Sequence, residues 1–584
     1  MEWALIDQDG PVRSGRTPDG TRVLWHPADG PTSARLTFRV GVADEALPTR
    51  GITHLVEHLA HERIGLPLYE ANAHVGVWCT TFSAGGEVDD VTVHLGVLGA
   101  ALHDLPVGGC EGEIEILLLE AARRAPSQWE DLLVQRYGLR GLGLASVDEV
   151  GLDLLRPEQV AEWARTAFTA SGAVLSVHGA EPGDEWLQLP VGPPLPPADA
   201  LPLPDRRSKW FTTSRQAVAL GSLGRDEPST TAAWWWLQRR MRQRLRVEDR
   251  AVYDVDMSMF ALPHGSIELA LAAVTDERRL DDVLAAVQDV VDETCSSTPT
   301  QEELAAHARW FARSRSTDRS AVQALDDLAR SWLVEGTDPA DHPGAALDPV
   351  PSGDEVRRTL ARLLDDATWE VPDDCEAPSG LEPLPVLVPA PSLLGGRRFL
   401  SRGQLQGPGA LVLSAGGVVL DLEEGVTAGM AWEDCVEVRR SSSGVRHLVC
   451  VDGNVLPVYP VDWHDSDTVL AVLDELTPPQ LVRTIHEDSG DAGAGESSWR
   501  GASSDALLLD PLISSAVPLL LSPAMVFFGL LLLVSSPGTT HPLGSGCFAV
   551  GLICAGVWCV VAVGQRWRRR WVRWRHRRGQ RTGS

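Results

Sequence analysis

The chain has 584 residues, too many for one hydrophobic core, so several domains are expected, each burying its own apolar surface. The net charge is -29, and setting aside nine arginines between residues 566 and 581 leaves the rest near -38; a body that acidic repels a phosphate backbone and excludes nucleic acid as the main partner. The nine cysteines are scattered without a CxxC pair, which excludes a disulfide framework or a zinc ribbon and predicts reduced thiols.

Residues 1–7 carry neither a basic leader nor a long apolar run, so no signal peptide is expected and the body is placed in the cytoplasm. Residues 21–25 and 34–40 read as strands around a Pro-containing turn at 27–31. A helix is expected near 51–62, a strand near 78–83 and another at 90–95. These belong to a first α+β body, residues 1–188, closed by a semi-rigid Pro-rich linker at 189–205. Residues 206–375 repeat the grammar, with a strand at 216–222, a helix at 230–246, strands at 253–261 and 266–273, and a helix at 276–294. Two α+β bodies of similar size and order suggest a duplicated unit.

A second linker, 376–396, contains five prolines. Residues 397–486 then predict short strands at 410–413, 418–422, 436–439, 447–451 and 455–459 and a helix at 466–476, the order of a small barrel or curled sheet closed by one helix. That order, with Ala431-Trp432-Glu433-Asp434, resembles the bacterial pleckstrin-homology-like domains. A Gly/Ser/Asp-rich stretch, 487–510, predicts a disordered linker. Within 511–565 two uncharged apolar runs, 512–534 and 544–564, are each long enough to cross a bilayer, which predicts a two-helix transmembrane hairpin. The basic tail, 566–584, interleaves its arginines with Trp567, Trp571 and Trp574 and is expected to meet membrane lipids at the cytoplasmic face. Two spans return the chain to its starting side, so the body is expected there too.

The chemistry concentrates in His54-Leu55-Val56-Glu57-His58. On a helix, His54 and His58 project from one face and can reach a single Zn2+, with Glu57 able to reach a water beside it. A third ligand is offered by residues 110–123, a strongly helical stretch on which Glu113 and Glu120, seven apart, share a face while Glu115 lies off it. Alone, that stretch reads as an amphipathic helix with solvated acids; its order downstream of the histidines favours a ligand.

With these residues in place, the chain resembles the inverzincin metallopeptidases of the pitrilysin, insulysin (insulinase-like) and mitochondrial processing peptidase family. The pattern runs through Gly41-Val42-Ala43-Asp44-Glu45, Gly51 to Leu59 and Asn72-Ala73, and covers approximately residues 4–375. The resemblance implies two tandem metallopeptidase-like α+β sandwich domains, with zinc on His54, His58 and Glu120, Glu113 in the outer shell, and Glu57 as the acid-base catalyst of peptide-bond hydrolysis. It also implies that Asn72 and Ala73 begin an edge strand on which an extended peptide adds, and that Arg246 and Tyr253 grip the substrate from the second body. The family closes a chamber with four such bodies, so two imply a homodimer and a small or unfolded peptide substrate. This sequence departs from the pattern in a shorter separation between His58 and Glu120 and in Arg250, which stands where the family has glycine. The competing expectation is a catalytically silent scaffold or adaptor at the membrane.

Overall fold

The computed structural model describes residues 1–485, apart from 7–10, 66, 68, 125–127, 197, 199–200, 317–320, 337–349, 374, 376, 385–394, 403–408 and 422–426. The expected disordered linker at 487–510, the membrane hairpin and the basic tail therefore lie outside the described residues. Among the described residues no single helix is long and apolar enough to cross a membrane.

The first half consists of β1 (Ala4–Leu5), β2 (Arg13–Arg16), β3 (Arg22–Pro27), β4 (Thr32–Phe38), α1 (Ile52–Glu62), β5 (Glu70–Val75), β6 (Thr80–Gly86), α2 (Val88–His103), α3 (Cys110–Ala121), α4 (Glu130–Tyr137), α5 (Pro157–Ala167) and β7 (Ala173–Gly179). Its seven strands form one sheet in the order β1-β2-β3-β7-β4-β6-β5, with β3 and β7 parallel. Leu36, Phe38 and Phe82 on that sheet pack against Leu55, Leu59, Leu95, Leu98 and Phe168. Residues 90–95, expected as a strand, belong to α2. The local alternation Val91, Val93, Leu95 suggests period two, but Val91, Leu95, Leu98 and Leu102 are the positions buried, and that longer helical spacing decides the element.

The second half repeats the plan with β8 (Lys209–Thr213), β9 (Ala217–Arg225), α6 (Pro228–Met241), β10 (Val255–Leu262), β11 (Ser266–Val274), α7 (Leu280–Ser296), α8 (Gln301–Ser316), α9 (Ala321–Arg330), α10 (Gly353–Asp366), β12 (Thr368–Pro372) and β13 (Glu382–Pro383). The sheet order is β10-β11-β9-β12-β8-β13, with β12 parallel to β8. The run β3-β7-β4-β6-β5 matches β8-β12-β9-β11-β10 strand for strand, including the position of the parallel pair. Where a helix was expected to continue to residue 246, α6 gives way to a π-helical turn, Arg242–Glu248.

Each sheet has its second face covered by a helix from the opposite half. Leu325 and Ala329 of α9 pack on Leu24 of β3 and Val174 of β7, with an Arg35–Asp326 ion pair alongside. Reciprocally, Leu132, Leu133 and Tyr137 of α4 pack on Ala219, Ala270 and Ala272 of the second sheet. Arg136, wholly buried, pairs with Glu268 of β11 at 2.6 Å and Asp366 at 3.0 Å and donates to Thr368 Oγ1 at 2.9 Å. The Tyr137 hydroxyl donates to the same Glu268 carboxylate at 2.6 Å. The halves also meet where Trp78 Nε1 donates to the Ala261 carbonyl of β10 at 2.9 Å.

The remaining strands are β14 (Arg397–Leu400), β15 (Ala410–Ser414), β16 (Gly417–Asp421), β17 (Thr427–Ala431), β18 (Cys435–Ser441), β19 (Arg446–Cys450), β20 (Val455–Val458) and β21 (Val482–Ile485), with α11 (Ser466–Leu476) between the last two. They form two four-stranded sheets, β14-β15-β16-β17 and β20-β19-β18-β21, around a core that includes Leu411, Val438, Leu448 and Val469. This body leans on the first half: Val449 packs with Leu139, Leu144 and Val147, Leu139 N donates to Val451 O at 2.6 Å, and Arg483 pairs with Asp153 at 3.2 Å. Cys110, Cys435 and Cys450 are buried in these cores.

Replacing Arg136 with Leu leaves the buried Glu268 with the Tyr137 hydroxyl but without its cation, which costs about 3–5 kcal/mol. Urea unfolding of Arg136→Leu is expected to show that loss, with the second half affected although the substitution lies in the first.

Candidate metal centre

The site is built on α1. Gly51 precedes the helix at φ +104, and a Cβ there would meet Leu152 at 2.8 Å, so both backbone and space favour glycine. No side chain at that position caps the helix. Glu45 does so from a distance, its carboxylate accepting from Gly51 N and Thr53 N at 2.9 Å each. Arg50 pairs with Glu45 at 2.9 Å and lies 3.8 Å from Glu149.

Leu55, Val56 and Leu59 are fully buried and fix the rotation of α1. His54, Glu57 and His58 consequently share the opposite flank, with one potential ligand atom from each lying within 4.8 Å of the others. Nδ1 of His54 donates to Glu149 Oε1 at 2.8 Å, and Nδ1 of His58 donates to Glu113 Oε2 at 2.9 Å. The donors are assigned because an ionised carboxylate can only accept. Both imidazoles therefore turn Nε2 the same way, and each Nε2 lies 3.9 Å from Glu120 Oε2 on α3. Glu57 Oε2 is 3.6 Å from His54 Nε2.

This donor set fits a zinc ion. Two ligands bound at about 2.0–2.2 Å in a tetrahedron stand roughly 3.3–3.6 Å apart, so Glu120 Oε2, 3.9 Å from each Nε2, needs to move only a few tenths of an ångström to share an ion with the imidazoles. Each histidine has a carboxylate at its far nitrogen, the usual support for a ligating imidazole. Charge points the same way: Glu57, Glu113, Glu120 and Glu149 surround two imidazoles, while Arg50 is shared with Glu45 and Arg124 reaches Glu120 only at the exposed rim, 3.4 Å away. Burial alone depresses the His54 imidazole, but the Glu149 hydrogen bond and the charges of Glu149, Glu57 and Glu120 outweigh it and hold the group above the ordinary histidine value.

The other expected site residues are placed elsewhere. Asn72 and Ala73 lie on β5, the open edge of the first sheet, paired on their inner side with Ser83 and Phe82. Arg246 stands in the π-helical turn with its guanidinium 5.3 Å from the Tyr253 ring centre and 3.5 Å from Asp254; Tyr253 is 86% exposed. This pair is together, but it makes no hydrogen bond or ion pair with the histidine cluster. Arg250, between them, adopts φ +50, a left-handed backbone that explains why glycine suits the position. Sequence reasoning missed Glu149 as a partner of His54; it lies 95 residues downstream in a loop without periodic pattern. Glu45 stands at the end of the first flanking segment, and Arg50 immediately before the second.

No protein-family model matches this chain, and no curated protein matches it by sequence. Solved structures share its fold. An inactive domain of an M16 peptidase from Pseudomonas fluorescens aligns at 16% identity and TM-score 0.51 over 64% of this chain and 100% of its own. A protease from Helicobacter pylori aligns at 12% identity and TM-score 0.51 over 62% of this chain and 98% of its own. The periplasmic protease PqqL from Escherichia coli aligns at 13% identity and TM-score 0.51 over 73% of this chain and 56% of its own. The fold is thus that of the M16 peptidases, a fold that occurs both in proteases and in an inactive domain.

Glu149→Ala is expected to weaken zinc binding about 10–100-fold in a chelator competition, with the melting temperature little changed. Arg250→Gly should raise stability by about 0.5–1 kcal/mol in urea unfolding, since relief of a left-handed arginine, worth about 1–2 kcal/mol, exceeds the entropy glycine adds to the unfolded chain.

Proposed function

We propose that this protein is a membrane-anchored, zinc-dependent endopeptidase that hydrolyses small or unfolded peptides. The observation that carries the reading is the paired arrangement of His54 and His58, each backed by a carboxylate and each presenting Nε2 to Glu120 beside Glu57. A Zn2+ held by His54, His58 and Glu120 supplies Lewis acidity toward a carbonyl oxygen and lowers the pKa of a water molecule. Glu57 takes the proton of the attacking water and later delivers it to the departing amine. Glu149 and Glu113 hold both imidazoles in the Nδ1–H tautomer, leaving the Nε2 lone pairs free for a cation.

Asn72 and Ala73 on the open edge of β5 take an extended peptide as an added strand, so recognition is mainly of backbone and side-chain preference is loose. Arg246 and Tyr253 hold the substrate carbonyl or the oxyanion from across a chamber that a second copy of the chain completes. Residues 397–486 act as a pleckstrin-homology-like module, and residues 511–565 anchor the protein as a two-pass hairpin that leaves body and basic tail in the cytoplasm. A second reading, a catalytically silent scaffold, is favoured by one observation: the fold is shared with an M16 domain described as inactive.

Metal content and hydrolysis of a quenched-fluorescence peptide library separate the two. The peptidase reading expects one zinc per chain, cleavage by the wild type, and loss of at least about 10²–10⁴-fold in rate in Glu57→Gln with zinc retained. Stoichiometric zinc without any Glu57-dependent cleavage overturns the peptidase reading.

A further inference from the structure

One helical turn beyond Glu57, α1 carries a third histidine that the metal cluster does not use. His61 Nδ1 lies 3.2 Å from Glu57 Oε1, an i,i+4 contact along the helix. The two carboxylate oxygens of Glu57 are thereby divided: Oε1 is turned to His61, and Oε2 faces the histidine pair, 3.6 Å from His54 Nε2 and 3.9 Å from His58 Nε2. Glu57 is buried, so few waters are available to do the same work. The His61 ring is itself held, its centre 5.7 Å from that of Phe82 on β6 and 6.3 Å from that of His94 on α2. His94 is fixed in turn by a 3.3 Å contact between its Nδ1 and the Tyr69 hydroxyl. Burial, with His61 nearby, drives His94 down to about 4, so at neutral pH it is an uncharged wall that does not compete for the Glu57 carboxylate.

We propose that His61 is a positioning residue for Glu57: its Nδ1–H donates to Oε1 and fixes the carboxylate with Oε2 directed into the space between His54 and His58. A carboxylate free to turn about its last bond would share its oxygens between those histidines and His61. With one oxygen fixed, the other presents its lone pairs toward the place where a water proton must be taken. The inference rests on the peptidase reading for its consequence, but the hydrogen bond and the tautomer it requires are properties of the chain alone.

The test uses full-length protein with His61→Phe, which keeps a ring against Phe82 and removes the donor, and His61→Asn, whose Nδ2–H comes close to the position of Nδ1. On a peptide the wild type cleaves, His61→Phe is expected to lower kcat about 10–100-fold, with KM, zinc content and melting temperature little changed, and His61→Asn to recover most of the loss. An undiminished kcat in His61→Phe overturns the proposal, as does an equal loss in both variants. Imidazole nitrogen NMR of selectively labelled protein provides the readout independent of turnover. His61 should be in the Nδ1–H tautomer in the wild type and revert to the commoner Nε2–H form in Glu57→Ala. An Nε2–H tautomer in the wild type overturns the proposal, whereas a wild type without peptidase activity but with the expected tautomer overturns only the peptidase reading.

Discussion

The structure turns on the carboxylate of Glu45. A helix that begins at a left-handed glycine has no side chain of its own to receive its first N–H groups, and these sit in a buried environment where water cannot substitute. Glu45 receives two of them, and burying that charge requires Arg50, whose guanidinium reaches on toward Glu149. Glu149 in turn orients His54. One chain of charge compensation thus runs from the cap of α1 to the His54 imidazole, so that the start of the helix and the direction of its first histidine are set together. Removal of Arg50 strands the buried Glu45 carboxylate, whereas removal of Glu149 leaves the Arg50–Glu45 pair intact and frees only the His54 imidazole.

The loop that delivers Glu149 is held from outside the first half. Leu139, Leu144 and Val147 pack against Val449, and Asp153 pairs with Arg483. Residues 397–485 are therefore part of the mechanical support of the centre, whatever else they bind. The other side of the centre, α3, is anchored more lightly: among its residues only Cys110 and Leu117 are buried, and it presents Glu113 and Glu120 from a helix whose outer residues Ile116 and Leu119 face solvent. The histidines are thus fixed more firmly than Glu120, which is half exposed.

Much of this was legible in the sequence because the informative spacings are local. The four-residue interval of His54 and His58 and the seven-residue interval of Glu113 and Glu120 need only helical geometry to become faces, and the structure brings those faces together. The duplication was legible as a repeated order of elements and reappears as a shared run of five strands. What was not legible is non-local. Glu149 meets His54 across 95 residues through a loop, and α4 and α9 look like ordinary amphipathic helices until each is seen lying on the sheet of the opposite half. Strands β7, β12, β14, β17 and β21 escaped, and β17 holds Ala428 and Gly429 where a β-branched run would announce it. His61 escaped because the motif is complete at His58, and only the side-chain direction of Glu57 gives the next turn a role.

The exchange of helices between halves also governs how the protein can be made. The β3 and β7 surface formed by Leu24 and Val174 is complete as a sheet once residue 179 is in place, yet its cover, Leu325 and Ala329, is encoded almost 150 residues later. At translation rates of about 5–20 residues per second the ribosome leaves that apolar face bare for roughly 7–30 seconds. During that interval only Ile6 and Val12 are on hand to cover part of that surface, so the first half cannot finish burying its sheet until the second half has been made.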